Sequence, residues 1–293
     1  MGMKESLGGR LFDLFNYIFL GLFGLVTVLP FIYVVGGAFT SPQEYISRRL
    51  VLFPHTLSLE GFKYIFSTPV LLTSLSVTIF ITVAGTLINL VFTCLMAYPL
   101  SRKDLDGRKF ILLGVVFSML FSGGMIPLFL VVKSLGMIDS FWSLLLPGAI
   151  SAFNLIVLKN FFQQMPDGLE EAAKIDGCND LRILWQIVLP LSLPAIATFS
   201  LFYAVNHWNS FFSAILYIND NYKWPIQVWL RQIVILSSGG LGDSATFDSN
   251  YIVPPGQIIK MAVIVISTVP ILCVYPFLQK HFAKGALIGS VKG

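Results

Sequence analysis

Long apolar runs separated by short polar breaks dominate the chain, and within the runs apolar residues occupy every side of a helix, as in LFNYIFLGLFGLVTVLPFIYVV. A helix of about 20 such residues covers a hydrocarbon core of ~30 Å, because its backbone hydrogen bonds are all internal. Six spans are predicted, at about 11–39, 70–100, 110–132, 141–158, 194–217 and 258–278. The third and fourth are joined by the turn KSLGMIDS. After the fifth comes a loop of about 218–257, whose amphipathic middle fits a short helix lying at the membrane surface. The expected fold class is therefore all-α. A polytopic membrane protein of six helices is predicted as one domain over 1–293, with its core at about 70–280.

Composition agrees with that pattern. The chain is 56% hydrophobic and only 12% charged, with a mean hydropathy of +0.80, beyond the range of soluble domains. Lys and Arg set the orientation, since loops rich in them stay on the cytoplasmic side. Placing the N terminus inside assigns most of the nineteen to cytoplasmic segments, and an even number of spans then puts the C terminus inside as well. The net charge of +4 suits contact with anionic lipid. No basic stripe alternates with aromatics, so nucleic acid is not an expected partner.

Catalytic signatures are missing. There is no glycine-rich phosphate loop, no paired cysteine spacing and no zinc-binding helix motif. No metal, cofactor or catalytic residue is expected in this chain, and any use of ATP and Mg falls to partner subunits.

One polar block interrupts the apolar pattern, EEAAKIDGCNDLRILWQIVLPLSLP, within a loop of about 161–190. It reads as two short helices. Asp167 is placed to cap the first, with Glu170 in capping-box position. Ala172 and Ala173 offer a smooth face, and Gly177 supplies the freedom for a sharp stop. Asn179 or Asp180 caps the second helix, whose Leu181, Leu184, Trp185 and Val188 recur at helical spacing and predict a face packed on the spans. Pro190 and Pro194 then break the chain.

In this block the chain resembles the inner-membrane permeases of ATP-binding-cassette importers, and among them the carbohydrate permeases related to the second maltose permease subunit. Their signature of E-A-A, three residues, G, nine residues, I, one residue and L-P is filled by Glu171, Ala172, Ala173, Gly177, Ile187, Leu189 and Pro190. The likeness extends to WNSFFSAILYINDN and to the closing GALIGSVKG. It implies a coupling helix between the fourth and fifth spans that docks into an ATPase subunit, with Glu171 against a basic residue and Glu170 and Asp176 in the same surface. It further implies a second, different permease, two ATPase subunits, an extracytoplasmic solute-binding protein, a sugar or oligosaccharide substrate and a bacterial plasma (inner) membrane. A self-sufficient channel or secondary transporter is the rival class, but apart from Asp13 near the entry to the first span no buried carboxylate suited to proton or sodium coupling is visible.

The fifth span carries Ser200, Tyr203, His207 and Ser210 at helical spacing, with Asn206 and Asn209 beside them. Two readings stay open: a polar translocation path, or hydrogen bonds between helices. In the external loop, Trp224 and Arg231 fit a sugar, an interfacial anchor or a docked binding protein. Arg48, Arg49, Lys223 and Arg231 together would make a mouth attractive to acidic sugars.

Overall fold

The structure, a computed structural model, describes residues 7–48, 51–67, 69–238 and 256–290. Among these, every regular element is helical, and the one β-contact is an isolated bridge between Thr40 and Leu57. The predicted all-α class holds.

Two compact units divide the chain, one from residues within 1–69 and 230–268, the other from residues within 70–229 and 269–293. The first unit holds α1 (Leu7–Ala38), α2 (Pro42–Ser47) and α3 (Glu60–Ser67). None of the described residues buries the apolar window of α1, as expected of a helix whose solvent is lipid. Its end is pinned instead, where Gly37 faces the Met261 thioether and the rings of Phe39 and Phe62 lie 4.8 Å apart.

The second unit begins with α4 (Pro69–Ser101), an uninterrupted helix that matches the predicted second span. The next three predicted spans are each broken. The third is α5 (Arg108–Leu120) and α6 (Met125–Ser134), bent by 117°, where Gly124 takes a positive φ of 85°. The fourth is α7 (Trp142–Leu145) and α8 (Ala152–Gln163), parted around Pro147 and Gly148. After α9 (Asp167–Ile175) and α10 (Asp180–Ile183), a π-helical turn runs from Leu184 to Val188 into α11 (Leu189–Leu191). The chain then bends by 86° into α12 (Leu193–Trp208). The predicted fifth span thus ends early and restarts as α13 (Phe212–Tyr217). The amphipathic middle of the predicted 218–257 loop is α14 (Ile226–Ser238), and α15 (Gly256–Ser290) includes the predicted sixth span. Of GALIGSVKG, 285–290 continue that helix and 291–293 lie outside the described residues. Three helices are long and apolar enough to cross a membrane, or five if each bent pair counts as one span.

The largest core joins Cys94, Ala97 and Leu100 of α4 to Leu155, Leu158 and Phe162 of α8 and to Ile183, Leu184 and Val188. It packs the polar block against the apolar helices.

Candidate functional site

Helix α9 starts at Pro166 as its N-cap, so Asp167 is the first helical residue and not the cap. Glu170 does something else. It is 7% exposed and ion-pairs with Arg102, just beyond the end of α4. Ala173, one turn on, is also buried in the core, at 5% exposure, which corrects its expected place on a smooth outer face beside Ala172. The outer stripe is Gly168, Glu171, Ala172 and Ile175, spaced three and four residues apart, with Ile175 86% exposed. Glu171 makes no ion pair among the described residues.

Gly177, at φ +79°, closes the helix. Cys178 N–H donates to the Ala173 carbonyl at 2.9 Å and Gly177 N–H to that of Lys174 at 3.0 Å, the paired bonds of a Schellman stop. Asp176, the cap residue, is exposed. Of the two candidate caps for α10, Asn179 serves, its side chain accepting Arg182 N–H at 2.8 Å. The predicted packing face of α10 is half wrong: Leu184 and Val188 are buried with Ile183, whereas Leu181 and Trp185 point outward. The π turn widens the repeat and rotates the face. Ile187 and Leu189 pack against the core, while Pro190 is exposed at the bend.

The polar stripe of α12 divides by direction. His207 Nε2 donates to Asn89 Oδ1 of α4 at 2.6 Å, and Asn89 Nδ2 donates to the Gly148 carbonyl. Four residues away on both helices, the Tyr203 hydroxyl shares a 2.9 Å hydrogen bond with Thr93 Oγ1 and accepts Ser151 N–H at 3.4 Å. This two-rung ladder clips the break between α7 and α8 to both long helices. Gly85 leaves room for the imidazole, since a Cβ there would lie 2.5 Å from His207 Nε2. Asn206 and Asn209 face outward, and Ser210 is half-buried beyond the helix end. A cavity of about 540 Å³ between α4, α12 and Pro270 is lined almost wholly by apolar groups such as Val83, Leu87, Val205 and Trp208.

Trp224 also has a structural task. Its indole N–H donates to the Ile218 carbonyl at 3.0 Å, and its ring lies 5.6 Å from that of Trp229. Arg231 is exposed on α14 and belongs to the other unit. Lys223 is engaged by carboxylates rather than open to acidic sugars: Nζ lies 3.4 Å from Asp139 Oδ2, 3.7 Å from Asp220 Oδ2, and donates to the Asp139 carbonyl at 2.9 Å. Arg49 lies outside the described residues. Sequence reasoning missed Arg102, Gly85 and Ile175 as members of these sites, for no motif marks them.

Asp139 holds this clamp from an unusual left-handed backbone, φ 59°. The N–H groups of Asp220 and Asn219 donate to its carboxylate at 3.1 and 3.2 Å, and these bonds with Lys223 hold its pKa below the usual carboxylate value. A lowered folded pKa contributes stability above the unfolded value and loses it as pH falls through the folded one. The wild-type loop should therefore lose protection from hydrogen exchange below about pH 4, near the ordinary carboxylate pKa. Asp139→Asn should abolish that step, and an unchanged acid profile would refute the clamp.

The comparisons agree with the geometry. The family model described as "Binding-protein-dependent transport system inner membrane component" matches residues 1–288. The chain is similar to the polygalacturonan/rhamnogalacturonan transport system permease protein YtcP of Bacillus subtilis (strain 168), 62% identical over 284 residues, 97% of this chain and 99% of that one. Protein LplC of the same organism is 57% identical over 291 residues, covering 99% and 98%. Among solved structures, a chain of a bacterial ABC transporter involved in the import of the acidic polysaccharide alginate is 31% identical, with a TM-score of 0.87 over 96% of this chain and all of that one. With its signature residues running from α9 through the Gly177 stop to the π turn and α11, the chain belongs to the family of binding-protein-dependent transport system inner membrane components.

Proposed function

We propose that this chain is one permease subunit of an ATP-driven importer of acidic oligosaccharides, paired with a second, different permease above two ATPase subunits and below a solute-binding protein. The observation that carries the reading is the outward stripe of α9, where Glu171, Ala172 and Ile175 stand free of the core that holds Ala173, Ile183, Leu184 and Val188. A short helix with a buried back and an exposed, small-residue front is suited to sit in a groove of another protein. ATP binding would draw the ATPases together, and α9 would carry the movement into the spans, which cross the bilayer six times with both termini on the ATPase side. No cofactor need bind here.

Asn206 and Asn209, rather than Tyr203 and His207, are proposed to face the sugar. Amides at bilayer depth are costly against lipid and so call for a polar path. The cavity between α4, α12 and Pro270 is too apolar for a sugar, and a path beside Asn206 and Asn209 would be completed by the second permease. The acidic class is supported by two similar proteins, one named for polygalacturonan/rhamnogalacturonan and one for alginate.

The tagged chain, purified from its native membrane, should bring an ATPase with it. In proteoliposomes with the binding protein, ATP should drive uptake of oligogalacturonate. Uptake by this chain alone, without ATP, would overturn the proposal.

A further inference from the structure

Arg102 follows the last residue of α4, and two of its contacts meet there. Its guanidinium pairs with Glu170 of α9, and its Cζ lies 4.6 Å from the centre of the buried Tyr98 ring. Withdrawing two charges from water is unfavourable unless they are tightly paired, and an apolar contact would hold two helices together at lower cost. A charged pair stacked on an aromatic ring supplies direction instead: it fixes one angle and one register between α4 and α9.

A second grip lies on the other side of the block. Arg108, at the start of α5, donates from Nε to the Leu100 carbonyl at 2.8 Å and from Nη2 to Gln163 Oε1 at 3.3 Å. Gln163 ends α8, just before the turn into α9. The segment after α4 therefore holds the polar block before α9 and within it. From there α4 runs to Asn89 and Thr93, which hold His207 and Tyr203 of α12.

We infer that the Arg102–Glu170 pair is a positioning link that makes α9 and α4 move as one body, delivering a push on the outer stripe of α9 to α4 and, through Asn89 and Thr93, to α12. Adjacent glutamates then have opposite tasks: Glu171 faces the partner, and Glu170 faces the spans. The inference rests on the importer reading above.

The test uses the whole complex, purified through a tag on this chain and reconstituted with oligogalacturonate as the probe. Uptake and ATP hydrolysis are measured together, because a merely structural role would lower both through lost complex and leave their ratio alone. Arg102→Glu and Glu170→Arg should each lower uptake per ATP by about tenfold or more, within the usual range of coupling between sites. The double reversal, Arg102→Glu with Glu170→Arg, should restore most of it, and Arg102→Lys, which keeps the charge without the planar stack, should fall between. If the wild-type complex shows no ATP-driven uptake, the importer reading fails and the link with it. Normal wild-type coupling with equally normal coupling in both single reversals overturns the link alone. Should the single variants fail to assemble, the double reversal decides: assembly with coupling supports the link, and assembly without coupling, or none, overturns it.

Discussion

Glu171→Lys is expected to stop ATP-driven uptake while leaving the protein folded and in the membrane. The side chain is exposed on α9 and makes no ion pair among the described residues, so reversing its charge disturbs nothing internal. Against the basic groove proposed on the ATPase, however, the reversal would replace attraction with repulsion. Losing one member of a desolvated interface pair costs about 2 to 5 kcal/mol, so ATPase binding should weaken by roughly 30-fold or more. Gly177→Val should give the same outcome by another route. A φ of +79° costs a side-chain-bearing residue about 1 to 2 kcal/mol, and a β-branched residue fits there worst. No neighbour stands within 4 Å of the added Cβ, so backbone strain and not crowding would move the stop and turn the stripe. Uptake and ATPase co-purification are the measurements. Wild-type values in both variants would remove α9 from the coupling surface.

The second large effect is expected at Asn89, which is 1% exposed and bonded on both sides. Asn89→Ala leaves the His207 N–H without its acceptor and the Gly148 carbonyl without its donor. A buried group left unpaired costs about 1 to 3 kcal/mol, while contacts between membrane helices average only ~0.6 kcal/mol. A total of about 1 to 3 kcal/mol follows, and melting in detergent should fall by roughly 3 to 10 °C at the usual sensitivity for a domain of this size. Apparent affinity for the sugar should stay as it was, because the ladder is a fastening within the helices. Cysteines at Asn206 or Asn209 should react with small reagents and be shielded by substrate, and a cysteine at His207 should stay sealed. A stable Asn89→Ala protein with altered sugar affinity would put the ladder in the substrate path instead.

The signature block was legible because its spacing is local. Glu171, Gly177 and Leu189 keep their separations whatever surrounds them, and the positive φ at Gly177 is a property of one backbone position. Which of two neighbouring glutamates faces outward was not legible. Arg102 decides it, a residue distant in sequence and joined to Glu170 only by the fold. The same holds for Ala172 and Ala173, identical in type and opposite in burial.

By itself the sequence determined the helical class and the course of α4, α15 and most of α1, because a bilayer acts on each segment separately and an apolar run of sufficient length answers to lipid alone. Hydropathy averaged along the chain could not see the breaks at Gly124, around Pro147 and after Trp208, since small and apolar residues at those points leave the average high. Tertiary structure decided those bends, the rotated face after the π turn at Leu184, and the inward aim of Tyr203 and His207. Their partners, Thr93 and Asn89, lie one turn apart on a helix packed alongside, and a polar side chain in an apolar setting takes its direction from whichever partner the packing brings within hydrogen-bond reach.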